Sequence, residues 1–103
     1  MNVEVQGQFQ QVVEVCGRYP VQRLAVFGSA LRDDFDPERS DVDFLVEFAP
    51  TSPEQHADAY FGLLGELEAL FGRHVDLVEA AALRNPYRRR EIEATQVVLH
   101  VAA

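Results

Sequence analysis

Phe27 to Phe48, FGSALRDDFDPERSDVDFLVEF, decides how the rest of the chain is read. It follows a short apolar run, Arg23 to Phe27 (RLAVF), which Pro20 and Gly28 bound and which predicts a buried strand. Gly28 to Arg32 (GSALR) then reads as a turn into a short helix. Asp33 to Ser40 is dense in turn formers and predicts a loop. Two aspartates spaced i and i+2 open a second strand, Asp41 to Phe48. Period-2 geometry sends Asp41, Asp43, Leu45 and Glu47 to one face of it, and Val42, Phe44, Val46 and Phe48 to the other.

Each part of this stretch has a chemical use. Gly28 has no Cβ, so backbone there can approach a bulky phosphate. Ser29 adds a hydroxyl where the first amides of a helix point outward, an arrangement that suits an anion. Asp41 and Asp43 project from one strand face, so both carboxylates can converge on a hard divalent cation such as Mg²⁺. Two such ions held roughly 3.5–4 Å apart assist in-line displacement at phosphorus, and holding them requires a further carboxylate. Asp76 is the natural candidate, on a separate strand and flanked by apolar residues, where a buried charge is costly unless paired or bound to metal.

Outward from this stretch, Val3 to Arg18 predicts a helix with Phe9, Val12, Val13 and Cys16 on its buried face, ended by Gly17 and Pro20. Thr51 or Ser52 can cap a long helix from Pro53 to Phe71, with Ala57, Tyr60, Phe61, Leu64, Leu67 and Phe71 as its apolar stripe and Gly72 as its stop. His74 to Glu79 is a third strand, with Val75 and Leu77 on one face and Asp76 and Val78 on the other. Asn85-Pro86 starts a helix through Thr95. Gln96 to Val101 fits a strand or a helix extension, and the pattern does not decide between them. The result is an α+β, layered α/β arrangement: one domain over residues 1–103, with a central mixed sheet of three to four strands flanked by helices.

Composition narrows the function classes. The chain has 103 residues, of which 48% are hydrophobic and 25% charged, as in an ordinary folded domain. A net charge of −8 argues against direct nucleic-acid binding, which needs clustered basic residues, but not against a nucleotide bound through a metal. The single Cys16 excludes an internal disulfide and a cysteine zinc site. A polar N-terminus and the lack of a long apolar run predict a cytoplasmic chain with no membrane segment.

The GS…DxD arrangement resembles the motif of the DNA polymerase β-type nucleotidyltransferase superfamily. It is most similar to the MNT, or minimal nucleotidyltransferase, domains. The resemblance spans nearly the whole chain, through FGSALRDDF, SDVDFLVEF, HVDLVE and NPYRRREI. It implies a small nucleotidyltransferase fold in which Gly28 and Ser29 bind nucleotide; Arg32, one turn into the short helix, fits either nucleotide-phosphate contact or an exposed surface position. Asp41, Asp43 and Asp76 would be the catalytic, metal-binding carboxylates, with two Mg²⁺ ions as cofactor and ATP as substrate. It further implies an antitoxin that transfers AMP from ATP to a tyrosine of a HEPN-family ribonuclease toxin, within a hetero-oligomeric complex. Two alternatives stay open: an antitoxin that neutralises its toxin by binding alone, and a small-molecule nucleotidyltransferase that needs a partner subunit.

Other features read as structural. An EF-hand beginning at Asp34 fails, because Arg39 stands where glycine is needed and Leu45 where the bidentate Glu belongs. His56, His74 and His100 lack metal-like spacing and read as structural or surface residues. Glu47 lies too far along its strand to share the aspartates' metals. Arg84 and Arg88 to Arg90 form a basic cluster that fits a solvated helix face, contact with ATP, or contact with a partner.

Overall fold

The two apolar runs around the aspartates pair with each other and form the middle of one sheet. The computed structural model describes residues 6–31 and 41–102, with the backbone alone at 29 and 30. Among these residues the elements are α1 (Phe9–Cys16), β1 (Val21–Phe27), a 3-10 turn (Gly28–Leu31), β2 (Val42–Phe48) and α2 (Pro53–Phe71). They are followed by β3 (Val75–Glu79), a second 3-10 turn (Ala80–Ala82), α3 (Pro86–Thr95) and β4 (Val97–Val101). The sheet order is β3-β2-β1-β4. β1 runs antiparallel to both β2 and β4, whereas β2 and β3 are parallel. The sheet is therefore mixed, as expected, and the undecided Gln96–Val101 segment is its fourth strand. Its backbone pairs with the edge of β1 from Val97 to Val101.

Alternation sorts the strands between two faces. Leu24, Val26, Val42, Phe44, Val46, Val75, Leu77 and Leu99 are buried in one cluster with Val12, Val15 and Cys16 of α1 and Leu63, Leu67 and Phe71 of α2. Phe44 and Phe71 meet with ring centroids 5.8 Å apart. The opposite face carries Ala25, Phe27 and Leu45 beneath Ile92 of α3, with Ala80 beside them. One helix of ten residues covers this second face, and it leaves the end with the aspartates accessible.

Local signals set the helix ends. The Ser52 hydroxyl accepts from the Gln55 amide at 3.2 Å, and Gly72 takes the left-handed conformation (φ 65°) after Phe71. In α3 the Asn85 side chain accepts from the amides of Tyr87 and Arg88 at 2.9 and 3.3 Å. Such caps satisfy helix amides that have no partner within the helix.

The buried stripes differ from those expected. In α2 the buried positions are Ala59, Leu63, Leu67 and Phe71, while Ala57 is exposed and Phe61 is 68% exposed. The apolar arc of this helix is wider than its contact with the sheet, so pattern alone misplaces its centre. In α1 the buried residues are Val12, Val15 and Cys16, and Phe9 is exposed. The expected helix start before Gln6 lies outside the described residues, as does the loop from Asp33 to Ser40.

Candidate active site

The N-terminal ends of the parallel strands β2 and β3 bring the acidic residues together. In register, Asp43 stands beside Asp76, and the next rung pairs Val42 with Val75. Neighbouring strands lie about 4.8 Å apart and register partners share a face, so these two carboxylates emerge side by side. Like charges directly opposite on a sheet are destabilising. On the other side of Asp43, β1 places Phe27 in register, and Gly28 follows at the turn.

Gly28 has φ +73°, a conformation that favours glycine. A Cβ built on it would overlap the Asp43 carboxylate oxygen and lie 3.3 Å from its Cγ. The missing side chain is therefore what leaves room for the Asp43 carboxylate beside the turn. The expected short helix after Gly28 is a 3-10 turn of four residues. A turn this short has little macrodipole, so its contribution to anion binding rests on local amides. The Ser29 side chain and Arg32 lie outside the described residues.

Asp41 precedes β2 instead of opening it. Its carboxylate stands 3.2 Å from His74 Nδ1, and the Val42 amide donates to the His74 carbonyl at 3.3 Å. Asp41 and His74 thus lie two positions before Asp43 and Asp76, beyond the Val42–Val75 rung. His74 is exposed, in keeping with a structural or surface residue, and the β2–β3 register places it against Asp41. Among the described residues, no group of three or more His, Cys, Asp or Glu side chains could hold a metal by itself. The site is an adjoining pair, Asp43 with Asp76, and Asp41 is turned toward His74.

Asp76 is exposed, so the expectation of a buried charge fails. Its adjacency to Asp43 is the stronger reason to place it in the site. Its field is felt nearby. The Tyr60 hydroxyl donates to the Leu77 carbonyl at 2.7 Å, and its pKa is raised by desolvation, with further contributions from the Asp76 and Glu79 charges. Glu47 sits four residues up β2, opposite Arg23, and is separated from the site as expected.

The arginine cluster divides by position. Arg89 pairs with Glu93 at 3.2 Å on the surface of α3. Arg88 borders a 220 Å³ cavity together with Phe27, Gly28, Glu91, Ile92 and Thr95. Arg84 and Arg90 are exposed.

The profile of the nucleotidyltransferase domain family matches residues 10–98. The chain belongs to that family. Similarity to known proteins narrows the type. A Methanocaldococcus jannaschii protein named as a candidate protein adenylyltransferase is 42% identical over 76 residues, 74% of each chain. A solved structure described as a candidate minimal nucleotidyltransferase superposes with a TM-score of 0.72 at 31% identity, covering 94% of this chain and 95% of that one. A Shewanella oneidensis structure, a tri-AMPylated HEPN toxin in complex with its MNT antitoxin, matches with a TM-score of 0.65 at 18% identity. The match covers 94% of this chain and 72% of that one, and at this identity it shows shared fold alone. The family profile and the 31%-identical structure together establish an MNT-type nucleotidyltransferase with a small α+β fold. No helix among the described residues is long and apolar enough to cross a membrane.

Proposed function

We propose that this chain is a Mg²⁺-dependent protein adenylyltransferase that transfers AMP from ATP to a tyrosine of a HEPN-type toxin partner and so neutralises it. The observation that carries this reading is the Asp43–Asp76 rung beside the side-chain-free turn at Gly28. The name of the M. jannaschii relative and the AMPylated toxin in the Shewanella complex support protein as the acceptor class.

The residues fit magnesium. Mg²⁺ is commonly held by one or two carboxylates plus substrate phosphates, and it keeps several waters, so an accessible pair of oxygen ligands suits it better than an enclosed cage. Asp43 and Asp76 would hold the ions, two in number, joined by Asp41 once it leaves His74. Bound magnesium would neutralise charge on the phosphates and on the departing pyrophosphate.

The chain's own residues carry the rest. The turn from Gly28 to Leu31, with Ser29, receives the triphosphate, and Arg32 lies next in sequence. Asp76, on the outer strand, faces the arriving acceptor and takes the proton of the tyrosine hydroxyl. The tyrosine oxygen bonds to the α-phosphorus, the bond from that phosphorus to the bridging oxygen breaks, and pyrophosphate leaves with the bonding pair. Placing nucleophile and phosphorus in fixed geometry supplies much of the rate.

The deciding experiment is intact-mass spectrometry of a purified HEPN-type partner after incubation with this chain, ATP and Mg²⁺. The double variant Asp41→Asn/Asp43→Asn runs in parallel. The expected result is a gain of one or more adenylate masses with the native chain only. A stable complex with both chains and no mass gain would replace the enzymatic reading with neutralisation by binding alone.

A further inference from the structure

Two adjoining cavities open where α3 passes the Gly28 turn. One, of 220 Å³, is lined by Phe27, Gly28, Arg88, Glu91, Ile92 and Thr95. The other, of 510 Å³, is lined by Gly28, Leu31, Glu91 and Thr95. Gly28, Glu91 and Thr95 border both, so the two adjoin as one cleft, and Gly28, on its wall, is also the neighbour of the Asp43 carboxylate. Arg88 is the basic side chain among its described lining residues. Its neighbour Arg89 is engaged by Glu93.

The strand order gives this cleft a direction. Asp76, Asp43 and the Gly28 end of β1 stand in a row across β3, β2 and β1. In-line displacement at phosphorus requires nucleophile and leaving group on opposite sides of the reacting atom. If the acceptor approaches at Asp76, the leaving group departs toward Gly28 and α3. We propose that this cleft is the leaving-group side of the site and that Arg88 binds the departing pyrophosphate. The proposal rests on the nucleotidyltransferase reading and assigns a residue and a direction to it.

Charge supports the assignment. Three carboxylates, two divalent cations and an ATP triphosphate of about four negative charges leave an excess of roughly three negative charges at the site. A guanidinium is suited to offset it, because its planar fork binds phosphate oxygens in pairs. Glu91, one helical turn after Arg88, borders the same cleft and opposes an anion there. Arg88 and Glu91 should therefore act with opposite sign on pyrophosphate, a behaviour that no general effect on folding produces.

The test is calorimetric titration of the full chain, in Mg²⁺, with pyrophosphate, with α,β-methylene ATP and with AMP. Arg88→Gln should weaken pyrophosphate and the ATP analogue by about tenfold or more, since hydrogen bonds to charged groups carry that weight. It should leave AMP unchanged. Glu91→Gln should tighten pyrophosphate. Arg89→Gln, whose partner is Glu93, should change nothing. Equal weakening of AMP and the ATP analogue by Arg88→Gln would put the residue at the nucleoside and overturn the proposal, as would unchanged binding of all three. If the native chain binds the ATP analogue but Arg88→Gln has no effect, this proposal fails while the adenylyltransferase reading stands. If the native chain binds neither the analogue nor pyrophosphate, the nucleotidyltransferase reading fails with it.

Discussion

Replacing Gly28 with alanine separates the backbone role of this residue from its role beside Asp43. The structure contains an internal control. Gly28 and Gly72 are the glycines with positive φ among the described residues, at 73° and 65°. A Cβ on Gly72 meets nothing within 4 Å, whereas one on Gly28 overlaps the Asp43 carboxylate. An L-residue held in the left-handed region costs about 1–2 kcal/mol, so both variants should lose about that much stability. In a domain of this size that corresponds to a fall in Tm of roughly 5–15 °C. Only Gly28→Ala should disturb chemistry. Its methyl group pushes the Asp43 carboxylate aside, and a displacement near 1 Å at a reacting centre costs about 100-fold in rate. Urea denaturation gives the stabilities, and the rate of adenylate transfer, followed by intact mass, gives the activity. Gly72→Ala should keep its rate at temperatures where it is folded. If Gly28→Ala also transferred adenylate at the native rate, the carboxylate of Asp43 would not depend on the space beside Gly28, and the argument placing the two in one site would collapse.

Three further outcomes follow from the same geometry. Burial raises the Cys16 pKa from 9.0 to about 11. The folded chain therefore holds this proton more tightly than the unfolded one, and stability should fall as pH rises from 9 toward 11; urea midpoints at pH 8 and pH 10.5 should drop less for Cys16→Ala than for the native chain. The Tyr60 hydroxyl should ionise above the ordinary 10.0, and Asp76→Asn should bring it partway down, because desolvation is the larger cause and the Asp76 charge a lesser one; ultraviolet difference titration of the two chains, with Tyr60→Phe identifying the signal, reads both. Ser52→Ala removes the side-chain cap of α2 and should cost about 1 kcal/mol by urea denaturation, with no effect on nucleotide binding.

Much of the fold was legible because it depends on short-range chemistry. Ser52 and Gly72 bound α2, and Asn85-Pro86 starts α3, through hydrogen bonds and φ preferences spanning a few residues. The alternation in VDFLVEF sorted Phe44 and Val46 from Asp43 and Glu47, because successive strand residues point to opposite faces. Where the reading failed, the missing information was long-range. Phe61 and Leu63 are both apolar on α2, and only the helix's contact with the sheet buries one and exposes the other. Val97–Val101 is a strand because β1 has an edge to pair with it.

The same division holds for the site. Sequence by itself determined the Gly-Ser turn, Asp43 on the face of its strand away from Phe44, and the order of elements, since each follows from local backbone geometry. Tertiary structure decided that Asp76 stands beside Asp43, that His74 meets Asp41, and that Arg88 rather than Arg89 borders Gly28. β2 and β3 are parallel and separated by the whole of α2, so their register is set by how that helix packs across the sheet. No local preference encodes that distance, and a shift of one residue would turn Asp76 to the opposite face.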